Sequence, residues 1–255
     1  MKSINRQTGI VFLIFVALLI LLFTGMMVKK APQERYILLS FDVEPVDGEK
    51  NVTDVLDLLD KEGITATFFV TGEYAEQYPS ILRKMAKHEI ACHGYSHKKF
   101  TKMNSSEKKE EIEKCKLAIK KATGKEVVGF RAPYTRIDHE TMMLLDENGF
   151  LYDASVIEGL GMFYPSVMQH KIGEIPVSSV LGIPLEDVIW TYYLRLPGAY
   201  FYLLKNKDTE MESYLFHPHH IMKHKNEFSE FIRHLKNQNV MFISHYGLIG
   251  KHEGV

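Results

Sequence analysis

Cysteine is scarce in this chain. Its 255 residues hold two, Cys92 and Cys115, too few for a fold stapled by a disulfide framework. Nothing in their spacing indicates a bond. Two free thiols are expected, Cys92 buried at the end of an apolar run and Cys115 on a charged helix. An excess of either charge is also missing. The formal net charge is -1, which leaves no field to attract nucleic acid or an acidic polymer. There is one tryptophan, Trp190, and no internal repeat or low-complexity stretch.

Long uncharged runs are absent with one exception. Residues 9–28 read GIVFLIFVALLILLFTGMMV, long enough to cross a bilayer as a helix. Lys2 and Arg6 precede the run, and Lys29 and Lys30 follow it, so the charge flanks barely decide orientation. No small-x-small cleavage site follows. An uncleaved single-pass anchor over residues 1–30 is therefore expected, then a short linker over 31–35 and one catalytic domain over 36–255. The domain is expected outside the cytoplasm.

What remains is globular in composition, with 45% hydrophobic and 25% charged residues. Strand-like and helix-like segments alternate. Strands are expected at 36–41, 66–70, 90–92, 127–130, 151–156, 213–216 and 240–244. Helices are expected at 52–62, 73–88, 105–123 (capped by Ser105 or Ser106), 138–148 and 226–239. This alternation predicts an α/β fold with a parallel sheet. Residues 157–212 break the rhythm. They are rich in Tyr, Phe, Pro and Gly and read as an elaborated connection.

Three polar clusters each close an apolar run: Ser40-Phe41-Asp42-Val43-Glu44, Cys92-His93-Gly94-Tyr95-Ser96-His97, and Phe130-Arg131-Ala132-Pro133-Tyr134. A parallel sheet gathers its strand C-termini at one face, where α/β enzymes place their sites. Two imidazoles and one carboxylate can hold a divalent ion and leave positions open. Such an ion polarises a carbonyl and acidifies water. A second carboxylate can act as base, and an arginine can keep it ionised. Asp42 and Glu44, two apart on an extended chain, point to the same side. Two histidines compete as proton donor to a leaving group: His217, after Tyr214-Leu215-Phe216, and His245, after Ile243-Ser244. His219 and His220 read as surface or supporting groups. Together these groups can hydrolyse an amide or ester.

From residue 36 to about 244 the chain resembles the polysaccharide deacetylase family, the NodB-homology domain. His93-Gly94-Tyr95-Ser96-His97 stands where that family has His-[Ser/Thr]-x-x-His, and Arg131-Ala132-Pro133-Tyr134 matches its Arg-x-Pro-Tyr. Ser40-Phe41-Asp42-Val43-Glu44 replaces Thr-Phe-Asp-Asp-Gly in a form that resembles the peptidoglycan-deacetylase-like branch. The late histidine is matched by Leu215-Phe216-His217-Pro218. The resemblance implies a distorted (β/α) barrel of about seven parallel strands. It implies one divalent metal, usually zinc, and removal of an acetyl group from an N-acetylated glycan.

Carried over residue by residue, Asp42 is the base, and Glu44, His93 and His97 are the metal ligands. Arg131 holds Asp42, the Tyr134 backbone N–H binds the oxyanion, and His217 is the general acid. Replacement of Asp-Asp by Asp-x-Glu leaves open which carboxylate binds the metal. The family's fourth motif, which carries Asp and Trp, is represented by Tyr152-Asp153-Ala154-Ser155, where Asp153 would orient a catalytic group. Two alternatives share the fold: a hydrolase of cyclic amides or imides, and a membrane-tethered glycan-binding pseudoenzyme.

Overall fold

A computed structural model describes residues 34–159 and 172–253. The expected membrane segment at 9–28 lies outside the described residues. Among the described residues no helix is long and apolar enough to cross a membrane.

The chain begins with β1 (Arg35–Val43), α1 (Gly48–Glu62), β2 (Thr67–Val70), α2 (Gly72–Gln77), α3 (Pro79–Lys84) and β3 (Glu89–Cys92). It continues with α4 (Ser105–Thr123), β4 (Gly129–Phe130), α5 (His139–Glu147), β5 (Tyr152–Asp153) and β6 (Gly173–Glu174). A two-stranded antiparallel hairpin follows, β7 (Ser179–Val180) and β8 (Ile183–Pro184), then a π-helical turn at Val188–Tyr193 and α6 (Pro197–Asn206). The last elements are β9 (Met211–Phe216), α7 (Pro218–Ile221), α8 (Lys225–Lys236), β10 (Val240–Phe242) and α9 (His245–Glu253).

β1 is buried on both faces from Ile37 to Val43, as a central strand covered on both sides must be. Seven strands run in the order β10-β1-β2-β3-β4-β5-β6, and β9 pairs with the other edge of β1. Every pairing in this sheet is parallel. The sheet curls into an incomplete barrel. Its gap between β6 and β9 is bridged beyond β6, where the Ser178 amide donates to the Ser213 carbonyl at 2.8 Å. The larger core fills the space between sheet and helices, with Phe41, Phe68, Phe216 and Phe228 among its members. A smaller one, Leu38, Phe69, Ala91, Tyr152, Ala154 and Ile175, fills the concave side.

Three local expectations need correction. The helix expected over 73–88 is two helices, because Tyr78 leaves helical geometry (φ -129°, ψ 54°) before Pro79, which starts α3 at its first position. The cap of α4 is Asn104, whose side chain accepts from the Glu107 amide while Glu107 reaches back to the Asn104 amide. Cys92 and Cys115 are not free thiols. They form a disulfide with Cα atoms 6.2 Å apart. α4 packs across the end of β3, and a contact 23 residues apart leaves no periodic trace in the sequence.

Candidate active site

The strand ends deliver the polar clusters to one cleft. Asp42 and Glu44 come from the end of β1, His93 from the end of β3, and His217 from the end of β9. The cleft has a volume of about 640 Å³, and Asp42, Glu44, His93, His97, Tyr134 and His217 are among its lining residues. That is large enough to take a sugar ring.

Arg131 is fully buried beneath the cleft. Its Nη1 donates to Asp42 Oδ1 and to Ser40 Oγ, both at 2.9 Å, and its Nε donates to the Ala154 carbonyl at 2.9 Å. The guanidinium lies 4.0 Å above the Phe69 ring. Burial raises the Asp42 pKa, but His93, Arg131 and His217 outweigh it and hold the carboxyl below its ordinary value. Asp42 is thus a buried, ionised carboxylate with one oxygen committed to Arg131.

His93 carries a tautomer argument. Its Nδ1 lies 2.8 Å from the Arg131 carbonyl, which can only accept. Nδ1 therefore bears the proton, and Nε2 presents a lone pair. That Nε2 is buried with no hydrogen-bond partner, 3.5 Å from Asp42 Oδ2. Burial also lowers the His93 pKa, which favours the neutral ligand form.

His97 Nε2 lies 2.9 Å from Glu44 Oε1. Ligand atoms of Glu44, His93 and His97 all fall within 4.8 Å of one another. An orphaned imidazole nitrogen, a second imidazole and a carboxylate form a donor set that fits a small divalent cation such as zinc.

His217 faces this group from β9. Its backbone N–H donates to Asp187 Oδ2 at 2.8 Å and its Nδ1 to Asp187 Oδ1 at 2.9 Å. Burial pulls the His217 pKa down. The charges of Asp187, Asp42 and Glu186 and the Asp187 hydrogen bond outweigh that and push it up to about 10. At neutral pH the ring is therefore protonated, and its Nε2–H is available for donation. His245 is elsewhere. It is fully buried, with Nδ1 3.0 Å from Thr67 Oγ1, at the start of β2, and Nε2 3.3 Å from Ser213 Oγ.

Tyr134 is half exposed at the cleft mouth, its ring 4.7 Å from that of His97. His97, Tyr134 and Thr135 hold left-handed φ values of 55°, 63° and 51°. Such strain in non-glycine residues gathers at functional sites.

The polysaccharide deacetylase family model matches residues 29–152. Over these residues, just under half of its length, the chain is similar to the polysaccharide deacetylase family. The peptidoglycan deacetylase-like protein of Gibberella zeae is 39% identical over 113 residues, 43% of this chain and 33% of that one. The match thus spans a third of that relative's length. A Mycobacterium smegmatis structure named for polysaccharide deacetylase superposes with a TM-score of 0.71 at 22% identity, over 88% of this chain and 92% of that one. A CE4 family pseudoenzyme from Bacillus anthracis gives 0.64 at 18% identity, over 84% and 65%. These two likenesses concern the fold.

Within this deacetylase fold one expected site residue is displaced. Asp153 does not line the cleft. It accepts from the Ser155 amide and hydroxyl, and Ser155 Oγ in turn accepts from the Ala132 amide at 2.8 Å. Asp153 thus braces the Arg131 loop from behind, and burial pushes its pKa up to about 6. The carboxylate on the histidine is Asp187, which the sequence reading did not single out. Its signal was present as Asp187-Val188-Ile189-Trp190, an acid and the single tryptophan three residues apart. Trp190 is buried and donates from Nε1 to the Pro184 carbonyl at 2.8 Å, which anchors the turn after Asp187. Asp47 was also missed. It accepts from the Glu44 amide and from the His219 amide and Nδ1, and so ties the β1 loop to the His217 loop.

Proposed function

We propose that this chain is a metal-dependent hydrolase that removes acetyl groups from N-acetylated sugars of a glycan such as peptidoglycan. The observation that carries the reading is the buried, partnerless Nε2 of His93 beside Glu44 and His97. Glu44, His93 and His97 would hold one divalent ion, with zinc favoured by the donor set. When bound, that ion supplies Lewis acidity at the acetyl carbonyl and makes water easier to deprotonate.

The residues around it divide the remaining work. Asp42, ionised and oriented by Arg131, accepts the proton from the attacking water. The backbone N–H at Tyr134, where the chain turns left-handed at the cleft mouth, would bind the developing oxyanion. His217, protonated and oriented by Asp187, donates from Nε2 to the departing sugar nitrogen. Acetate and a free amine result. The pseudoenzyme alternative would be favoured by loss of the base or of a ligand, and this chain retains both. The apolar run at 9–28 supports a membrane tether with the domain outside the cytoplasm. Extraction of the chain by alkaline carbonate would contradict that tether.

The test is acetate release from acetylated peptidoglycan fragments and chito-oligosaccharides. Asp42→Asn should retain the metal and lose at least about 100-fold in turnover. Loss of the metal in that variant would reverse the roles of Asp42 and Glu44. No acetate from any N-acetylated glycan, with the metal in place, would contradict deacetylation and promote the cyclic-amide alternative.

A further inference from the structure

We propose that Glu111, on α4 outside the cleft, is a positioning residue that fixes the backbone carrying His97. This rests on the metal-hydrolase reading. The loop from Gly94 to His97 turns left-handed at both ends, with φ 70° at Gly94, where glycine takes it freely, and 55° at His97, where it is strained. A Cβ at Gly94 would lie 3.0 Å from the Phe100 ring, so the loop is also tightly backed there. Conformations of this kind persist only where the surroundings over-determine them.

Glu111 supplies much of that constraint. Its Oε2 accepts the amides of Tyr95 and Ser96, each at 2.8 Å, and its Oε1 accepts the Ser96 hydroxyl. The carboxylate is buried, and among the described residues no basic side chain lies within ion-pair distance. A buried carboxylate is costly without donors, and all three of these come from the two residues immediately before His97.

Cys115 lies one helical turn further along α4 and is bonded to Cys92, immediately before His93. One helix therefore grips the histidine segment at two points, each adjoining a candidate ligand. Released from Glu111, the chain before His97 is free to relax out of its left-handed turn and carry the imidazole away from Glu44 and His93.

Glu111→Gln tests this directly. A carboxamide keeps the shape but removes the charge that strengthens all three bonds and forces the Ser96 hydroxyl from donor to acceptor. The 255-residue chain and its variant are stripped with a chelator and titrated with zinc against a chromophoric chelator. Thermal unfolding of the metal-free forms is followed in parallel. The zinc Kd should weaken about 10–100-fold. Ser96→Ala removes one of the three donors and should weaken it by a smaller factor, which keeps the test open if Glu111→Gln fails to fold. A Kd equal to wild type in a folded variant, with only the unfolding midpoint lowered, would overturn the inference and leave Glu111 a purely structural group. If the wild-type chain takes up no zinc, the hydrolase reading falls and this inference with it.

Discussion

Arg131 is a charge removed entirely from water, and most of its surroundings exist to hold it there. Ser40, Asp42, the Ala154 carbonyl and the Phe69 ring all contact its guanidinium. Removing one member of a buried pair strands the other. Arg131→Met should therefore cost about 3–5 kcal/mol of stability, read by urea denaturation. A loss under about 1 kcal/mol would mean that Asp42 does not depend on this partner.

His217 and Asp187 make a second prediction at the same scale. The folded pKa of His217 is raised to about 10 from an ordinary 6.5. The stability it contributes is complete below about pH 6.5 and is lost as pH rises through about 10. Deacetylation should have its alkaline limb in that upper region. Asp187→Asn should move the limb down towards the ordinary histidine value, and an unmoved limb would remove His217 as the acid.

At the scale of elements, what was legible depended on length and period. α1 and α4 carry apolar residues at helical spacing over 15 and 19 residues, and both end at a glycine in the left-handed region. β1 declared itself as a continuous apolar run. β4 to β8 are two residues each, too short for any alternation to register. The cap of α4 lies one or two residues before the expected Ser105 or Ser106 because Asn104, Ser105 and Ser106 are all competent caps, and backbone geometry selects among them. Asn104 has extended φ/ψ and both capping-box bonds. Asn104→Ala should therefore cost about 1 kcal/mol in urea denaturation, and Ser105→Ala much less. The reverse order would contradict the assignment.

At the scale of the whole molecule, a parallel sheet turns separate places in the sequence into one face. Asp42, His93, Arg131 and His217 each stood just beyond an apolar run, so their convergence followed from strand direction. Asp153 looked similar but is the last residue of β5, paired with Phe130 and Glu174 on the helix-facing side. Strand alternation, invisible in a two-residue strand, decided its side. Asp187 lies in the irregular stretch before α6, and its meeting with His217 depends on how the β7–β8 hairpin folds back against β9.

The central claim is that Glu44, His93 and His97 form a metal site. It is tested most directly by the metal content of the purified chain beside its His93→Ala variant. One tightly bound divalent ion per chain, absent from a folded variant, is the predicted result. No ion in the wild-type chain after incubation with zinc, or equal content in the two proteins, would contradict it.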